Sequence, residues 1–211
     1  MRTSTVIKAL LAATAVAPML CFAESNVQTG AGALTATTHV DFQITIPKFV
    51  FLRIGTGTGT LASGWANNAT VDQITWAPTP AQVGTGVMAG AGGDLGTGTE
   101  TAVVYANGNG NVTLSCTTTG ALNDGAGDTI SYGTITTTAS VLTSATALPV
   151  CVLGDGTTNS VVVPAVAKIV ARDAKWAYTY SNATLPPAGT YGGGGAGNTG
   201  AGRVTYTAAI P

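Results

Sequence analysis

Apolar and polar positions alternate along much of the chain with a period of two, the spacing that sends successive side chains to opposite faces of a β-strand. The pattern is clearest in His39-Val40-Asp41-Phe42-Gln43-Ile44-Thr45-Ile46, where Val40, Phe42, Ile44 and Ile46 share one face until Pro47 ends the run. Phe49–Ile54 follows as a nearly continuous apolar stretch, as expected of a strand covered on both faces. Further strands are predicted over 70–76, 102–106, 111–118, 129–136, 148–153, 160–163, 166–171, 175–180 and 203–210. The last of these sets Val204, Tyr206, Ala208 and Ile210 on one side.

Turn residues punctuate these runs. Asn107-Gly108-Asn109-Gly110 offers residues that tolerate positive φ, as a tight hairpin between its flanking strands requires. The segments 123–128 and 154–156 read as turns for the same reason. A helix over 165–175 would group Ile169 with Val170 and set Lys168, Arg172 and Lys175 elsewhere, but the alternation of Val166, Lys168, Val170 and Arg172 and the β-rich surroundings favour strand. Nine to eleven short strands without regular βα alternation predict an all-β fold, an antiparallel Ig-like β-sandwich with Gly/Thr-rich loops. The expected organisation is a secretory signal over 1–23, a flexible polar leader over 24–38 and one sandwich domain over 39–211.

The leading segment carries the signal's chemistry. Arg2 and Lys8 supply a positive start, residues 9–20 an apolar stretch, and Cys21-Phe22-Ala23 a small-x-small cleavage site before Glu24. Such a stretch is shorter than the roughly 20 apolar residues a spanning helix needs. Pro18-Met19-Leu20 lacks the small residue expected before a lipidated cysteine, which disfavours lipidation of Cys21. The implied route is Sec-dependent export from a bacterial cytoplasm through the periplasm to the cell surface. Removal of the signal leaves Cys116 and Cys151, which in an oxidising compartment are most simply one disulfide.

Composition narrows the function classes. The chain holds 37 threonines and 29 glycines but is only 8% charged, with a formal net charge of -1. Without Arg2 and Lys8, six basic residues face nine acidic ones, so the exported form is more acidic. That balance argues against nucleic acid as a partner. Low-complexity tracts at 55–60, 83–99 and 192–202 are expected to act as flexible linkage, since Gly-rich chain is costly to order.

Catalytic constellations are scarce. The only histidine, His39, lies beside Asp41 on the first alternating run, and no G-x-S-x-G elbow occurs, so a serine-hydrolase reading has no support. Most carboxylates fall in turn-like segments and read as solvated. Asp124 and Asp128 do not match a calcium-loop spacing. No catalytic residue, metal or cofactor is therefore assigned. Trp65, Trp76 and Trp176, with Tyr178 and Tyr180, could line a sugar-binding face, which makes an extracellular carbohydrate-binding module the alternative function. The alternation in Trp176-Ala177-Tyr178-Thr179-Tyr180 favours the sandwich core for that strand.

The layout of the exported chain resembles the fimbrial (pilin) subunits that assemble by donor-strand exchange. The resemblance rests on the export signal, the Thr/Gly/Ala-rich sandwich, the cysteine pair, the alternating Val-x-Phe-x-Ile near the start and the alternating last strand with its Tyr206. It departs from the usual pattern in placing Cys116 and Cys151 mid-chain and in its long low-complexity insertions. The resemblance implies a non-enzymatic surface-fibre subunit whose main partner is a second copy of itself. Val40, Phe42, Ile44 and Ile46 would be the inter-subunit strand, and a periplasmic assembly chaperone and outer-membrane secretion machinery the accessory partners.

Overall fold

The computed structural model describes residues 25–61, 64–184, 186–193 and 202–211. The expected signal over 1–23 and most of the tract 192–202 lie outside them. The chain divides into two units, Met1–Ile46 and Pro47–Pro211. In the first, the described residues 25–46 form no helix or strand and every one is exposed. Within it Gln28 donates to Asn26 at 2.8 Å and Asn26 to the Thr37 carbonyl at 3.5 Å.

The regular structure of the second unit is almost entirely strand. In chain order it contains β1 (Phe49–Ile54), β2 (Ile74–Thr75), β3 (Val87–Ala89), β4 (Ala91–Gly92), β5 (Thr99–Asn107) and β6 (Val112–Thr118). There follow β7 (Leu122–Asn123), β8 (Thr129–Ile130), β9 (Ile135–Ser140), β10 (Thr158–Val163), β11 (Ile169–Ser181) and β12 (Val204–Ala209). One 3₁₀ turn, Tyr132–Thr134, precedes β9. All pairings are antiparallel.

Two main sheets face each other. The larger runs β1-β5-β11-β9, and β3 prolongs the lane of β5: Thr179 pairs with both Ala89 and Thr136, which must therefore stand on opposite sides of β11. The smaller runs β10-β6-β12. Alternation places Ala102, Val104 and Ala106 of β5 and Val170, Ala174 and Trp176 of β11 against Val112, Leu114 and Cys116 of β6, all buried. Polar ties cross the gap as well. Tyr178 and Tyr206 share a hydroxyl hydrogen bond of 3.1 Å, and the Trp176 ring lies 5.4 Å from that of Tyr206.

The sheets explain where sequence patterns and structure part. Asn107-Gly108-Asn109-Gly110 is not a hairpin: β5 and β6 belong to different sheets, the turn arches between them, and neither glycine has positive φ. A tight two-residue turn lies instead at Val166-Ala167-Lys168-Ile169, where Ala167 and Lys168 take φ of 50° and 68° and Val166 and Ile169 exchange both backbone bonds as an isolated bridge ahead of β11. The runs at 166–171 and 175–180 become one strand, β11, starting after that turn. Residues 129–136 split into β8, the 3₁₀ turn and the start of β9. The tract 83–99, expected as linkage, contains β3 and β4, and Gly98 packs so closely that an added Cβ would sit 2.6 Å from the Gly90 Cα.

Residues 148–153 form no strand. They run along the side of the sandwich bounded by β9 and β10 and bury Leu148, Cys151 and Leu153 in the core. Cys151 is disulfide-bonded to Cys116 of β6, the Trp176 indole donates to the Leu148 carbonyl at 2.9 Å, and Asn159 of β10 donates to the Val152 carbonyl at 2.7 Å. The bridge spans a sequence separation of 35. Replacing both cysteines by alanine should lower the stability of the second unit by about 3–4 kcal/mol on the loop-entropy account, measured by denaturant unfolding of the oxidised chain against the variant.

Candidate functional site

Three features of the described chain bear on function: the exposed apolar segment at 40–46, the free edge of β1, and a carboxylate cluster beyond the end of β1. The segment carries the four residues of the candidate inter-subunit strand. Val40 is 74%, Phe42 91%, Ile44 86% and Ile46 76% exposed. The expected strand over 39–46 is absent, because a strand needs a neighbour for its backbone groups and residues 40–46 lie outside every ladder among the described residues. Four large apolar side chains on one alternating face, all in water, form a surface that soluble monomers rarely present.

Among the described residues β1 is an edge strand, paired with β5 on one side only. Natural edges are usually blunted by charge or proline, but this one reads Phe-Val-Phe-Leu-Arg-Ile. Its one charge is turned aside: Arg53 donates to the carbonyls of Gly55 and Gly59 and meets Asp94 at 3.0 Å. Leu52 and Ile54 pack on the core, whereas Val50, on the same face, is 43% exposed. A cleft of about 380 Å³ runs beside the strand, lined by all five residues from Val50 to Ile54 and by residues 56–58, 66–68 and 70. Contact with five consecutive residues, which point alternately to both faces, locates the cleft on the strand's edge.

β12, the other expected site strand, pairs with β6 and is likewise an edge. Val204, Tyr206, Ala208 and Ile210 are half-buried against the core, and Lys48, just ahead of β1, donates its ammonium to the Pro211 carbonyl oxygen. The structure thus brings β1 and β12 together at one side of the sandwich, Cys116 and Cys151 together at the other, and leaves 40–46 outside both sheets.

The carboxylate cluster is the feature that sequence reasoning missed. Asp72, Asp94 and Glu100 each place an oxygen within 4.8 Å of the others. Glu100 falls in the same register as Ala102, Val104 and Ala106 of β5, so its side chain points to the core and is 4% exposed; that alternation was the available signal. The burial, opposed by the backbone N–H of Asp94 and reinforced by the carboxylates of Asp72 and Asp94, pushes Glu100 up to about 8. Burial also acts to raise Asp72, but the Thr56 N–H bonded to it, Glu100 and the Arg53 charge outweigh this and hold it below its ordinary value. Gly55, at φ +80°, admits the cluster: a Cβ there would lie 2.7 Å from a Glu100 oxygen.

The other carboxylates serve loops. Asp173, 3% exposed, accepts from the backbone of Thr143 and Ser144 at 2.9 and 2.7 Å. Burial raises its pKa, but those bonds and the Thr143 and Ser144 hydroxyls lower it further. Asp124 accepts from the backbone of Ala126, Gly127 and Asp128, and these bonds, Ala126 first, lower it. Among the aromatics, Trp176, Tyr178 and Tyr180 are in the core. Trp65, 41% exposed, is stacked 4.8 Å from Phe49 and lies 4.9 Å from Tyr105 on the outer face of the larger sheet, its indole bonded to the Thr60 carbonyl.

Compared with known proteins, the chain matches no family model, no curated protein and no solved structure. No helix among the described residues is long and apolar enough to cross a membrane.

The Glu100 environment sets a pH dependence. Between its ordinary value of 4.5 and about 8, folded Glu100 keeps a proton that the unfolded chain has released, so stability falls as pH rises through that interval. The lowered groups Asp72 and Asp173 act only at the acid end, below 3.8. Denaturant midpoints measured from about pH 5 to about pH 8 should decline for the native sequence, and Glu100→Gln should flatten the decline.

Proposed function

We propose that the protein is a structural subunit of a cell-surface fibre, assembling by β-strand complementation in which residues 40–46 of one copy complete a sheet of another. The observation that carries this reading is the segment itself: Val40, Phe42, Ile44 and Ile46 alternate as a half-buried strand does, yet all four stand in water outside any sheet. Strand addition removes that cost, with backbone hydrogen bonds supplying affinity and the alternate side chains fixing register. The sparse charge of the chain, 8%, eases close approach of like subunits. Export to the cell surface, and help from a periplasmic chaperone and outer-membrane machinery, belong to the same proposal through the resemblance to pilin subunits.

The carbohydrate-binding alternative has weaker support, because the aromatic strand expected to serve it is buried and Trp65 is engaged with its neighbours. Electron microscopy and sedimentation should find the unaltered chain in linear assemblies, and Phe42→Asp with Ile44→Asp as monomers of unchanged β-sheet content. Monodisperse monomers of the unaltered chain at high concentration would contradict the proposal.

A further inference from the structure

The sandwich treats its two open sides differently, and that difference identifies an acceptor. On the side of β9 and β10 the chain supplies its own cover, burying Leu148, Cys151 and Leu153 and anchoring them by the disulfide and by the bonds from Trp176 and Asn159. On the side of β1 the cover is incomplete: residues 56–58, 66–68 and 70 form the other wall of a cleft that follows the strand edge from Val50 to Ile54, and Val50, on the same face as the core-packed Leu52 and Ile54, remains 43% exposed. We infer that the free edge of β1 is the docking site for residues 40–46 of a second copy. The inference rests on the strand-complementation reading and adds the site at which the strand is received.

Length, chemistry and chain geometry agree on this occupant. Seven residues at about 3.3 Å each extend about 23 Å, close to the roughly 20 Å of the six-residue β1. Val40, Phe42, Ile44 and Ile46 would face the core side beside Val50 and Leu52, on the side of the sandwich where β1 meets β12. The same chain cannot return its own segment by a tight hairpin. Only Pro47 and Lys48 separate Ile46 from β1, and a two-residue hairpin needs positive φ at its first central position, which the proline ring forbids. Pro47 and Phe49 are also both bonded to Asn107 of β5, at 2.7 and 2.6 Å, which fixes the entry into β1. A donor received by the edge of another copy joins copies head to tail, and such contacts propagate into open filaments when their rotation does not close a ring.

Photo-crosslinking of the full chain tests the assignment. A benzophenone side chain is placed at Phe42, and these copies are mixed with isotopically heavy unaltered copies so that intermolecular adducts are recognised by mass. Adducts are expected in heavy β1 and the bordering part of β12, to be lost with Val50→Asp in the heavy copy and retained with Val152→Asp on the covered side. Filaments whose adducts map to β9 or β10, or that survive Val50→Asp with adduct yield unchanged, would overturn the β1 assignment while leaving strand complementation standing. Absence of both filaments and adducts would overturn both.

Discussion

A sandwich of two sheets is closed above and below by its own strands but not at its sides, where each sheet ends in a row of unpaired backbone groups beside the core. Every other feature of this molecule has to accommodate that constraint, since apolar side chains and polar backbone at an open side cannot both be satisfied by water. Here the core of Trp176, Leu114, Val104 and Val170 is fully enclosed between the sheets. Its integrity at the sides depends on what lies along β9 and β10 and along β1 and β12. The chain resolves the first with an irregular segment and a disulfide. At the second it leaves an apolar edge, a cleft and a half-exposed valine.

The same constraint gives the low-charge composition its meaning. An exposed edge rich in Phe, Val, Leu and Ile is an aggregation hazard in a monomer, and a leader bearing four exposed apolar side chains doubles it. On the proposed strand complementation the two hazards would cancel, each satisfying the other on a neighbouring copy. Arg53, the one charge on β1, is held by the partly buried Asp94, beside the buried Glu100 that keeps its proton. The charge that could guard the edge is thus spent on fixing the loops beside it.

Much of the sheet structure was legible in the sequence because its signal is local. β12 follows from alternation, β1 from its nearly continuous apolar run, β6 from a strand-forming stretch bounded by turn residues, and the buried face of β11 from the spacing of Trp176, Tyr178 and Tyr180. What escaped depends on partners distant in the chain. Residues 148–153 are apolar throughout, as a buried strand can be, but lack a ladder, and only the position of β6 makes them a cover. Asn107-Gly108-Asn109-Gly110 has hairpin composition, yet whether its flanking strands pair or separate into two sheets is decided by β11. The short β3 and β4 are hidden in glycine-rich sequence whose backbone is set by the close approach of Gly90 and Gly98. The Asp72–Asp94–Glu100 cluster combines three separate elements, of which only Glu100 left a trace, in its register with Ala102. The candidate segment at 40–46 was visible as a pattern, but its exclusion from the described sheets was not.

Hydrogen exchange across assembly tests the central claim most directly. Amides of residues 40–46 should exchange rapidly in dilute monomer and become protected in the assembled form, together with amides on the free edge of β1, while those along β9 and β10 remain unchanged. Assemblies in which residues 40–46 still exchange as rapidly as in the monomer would contradict the account.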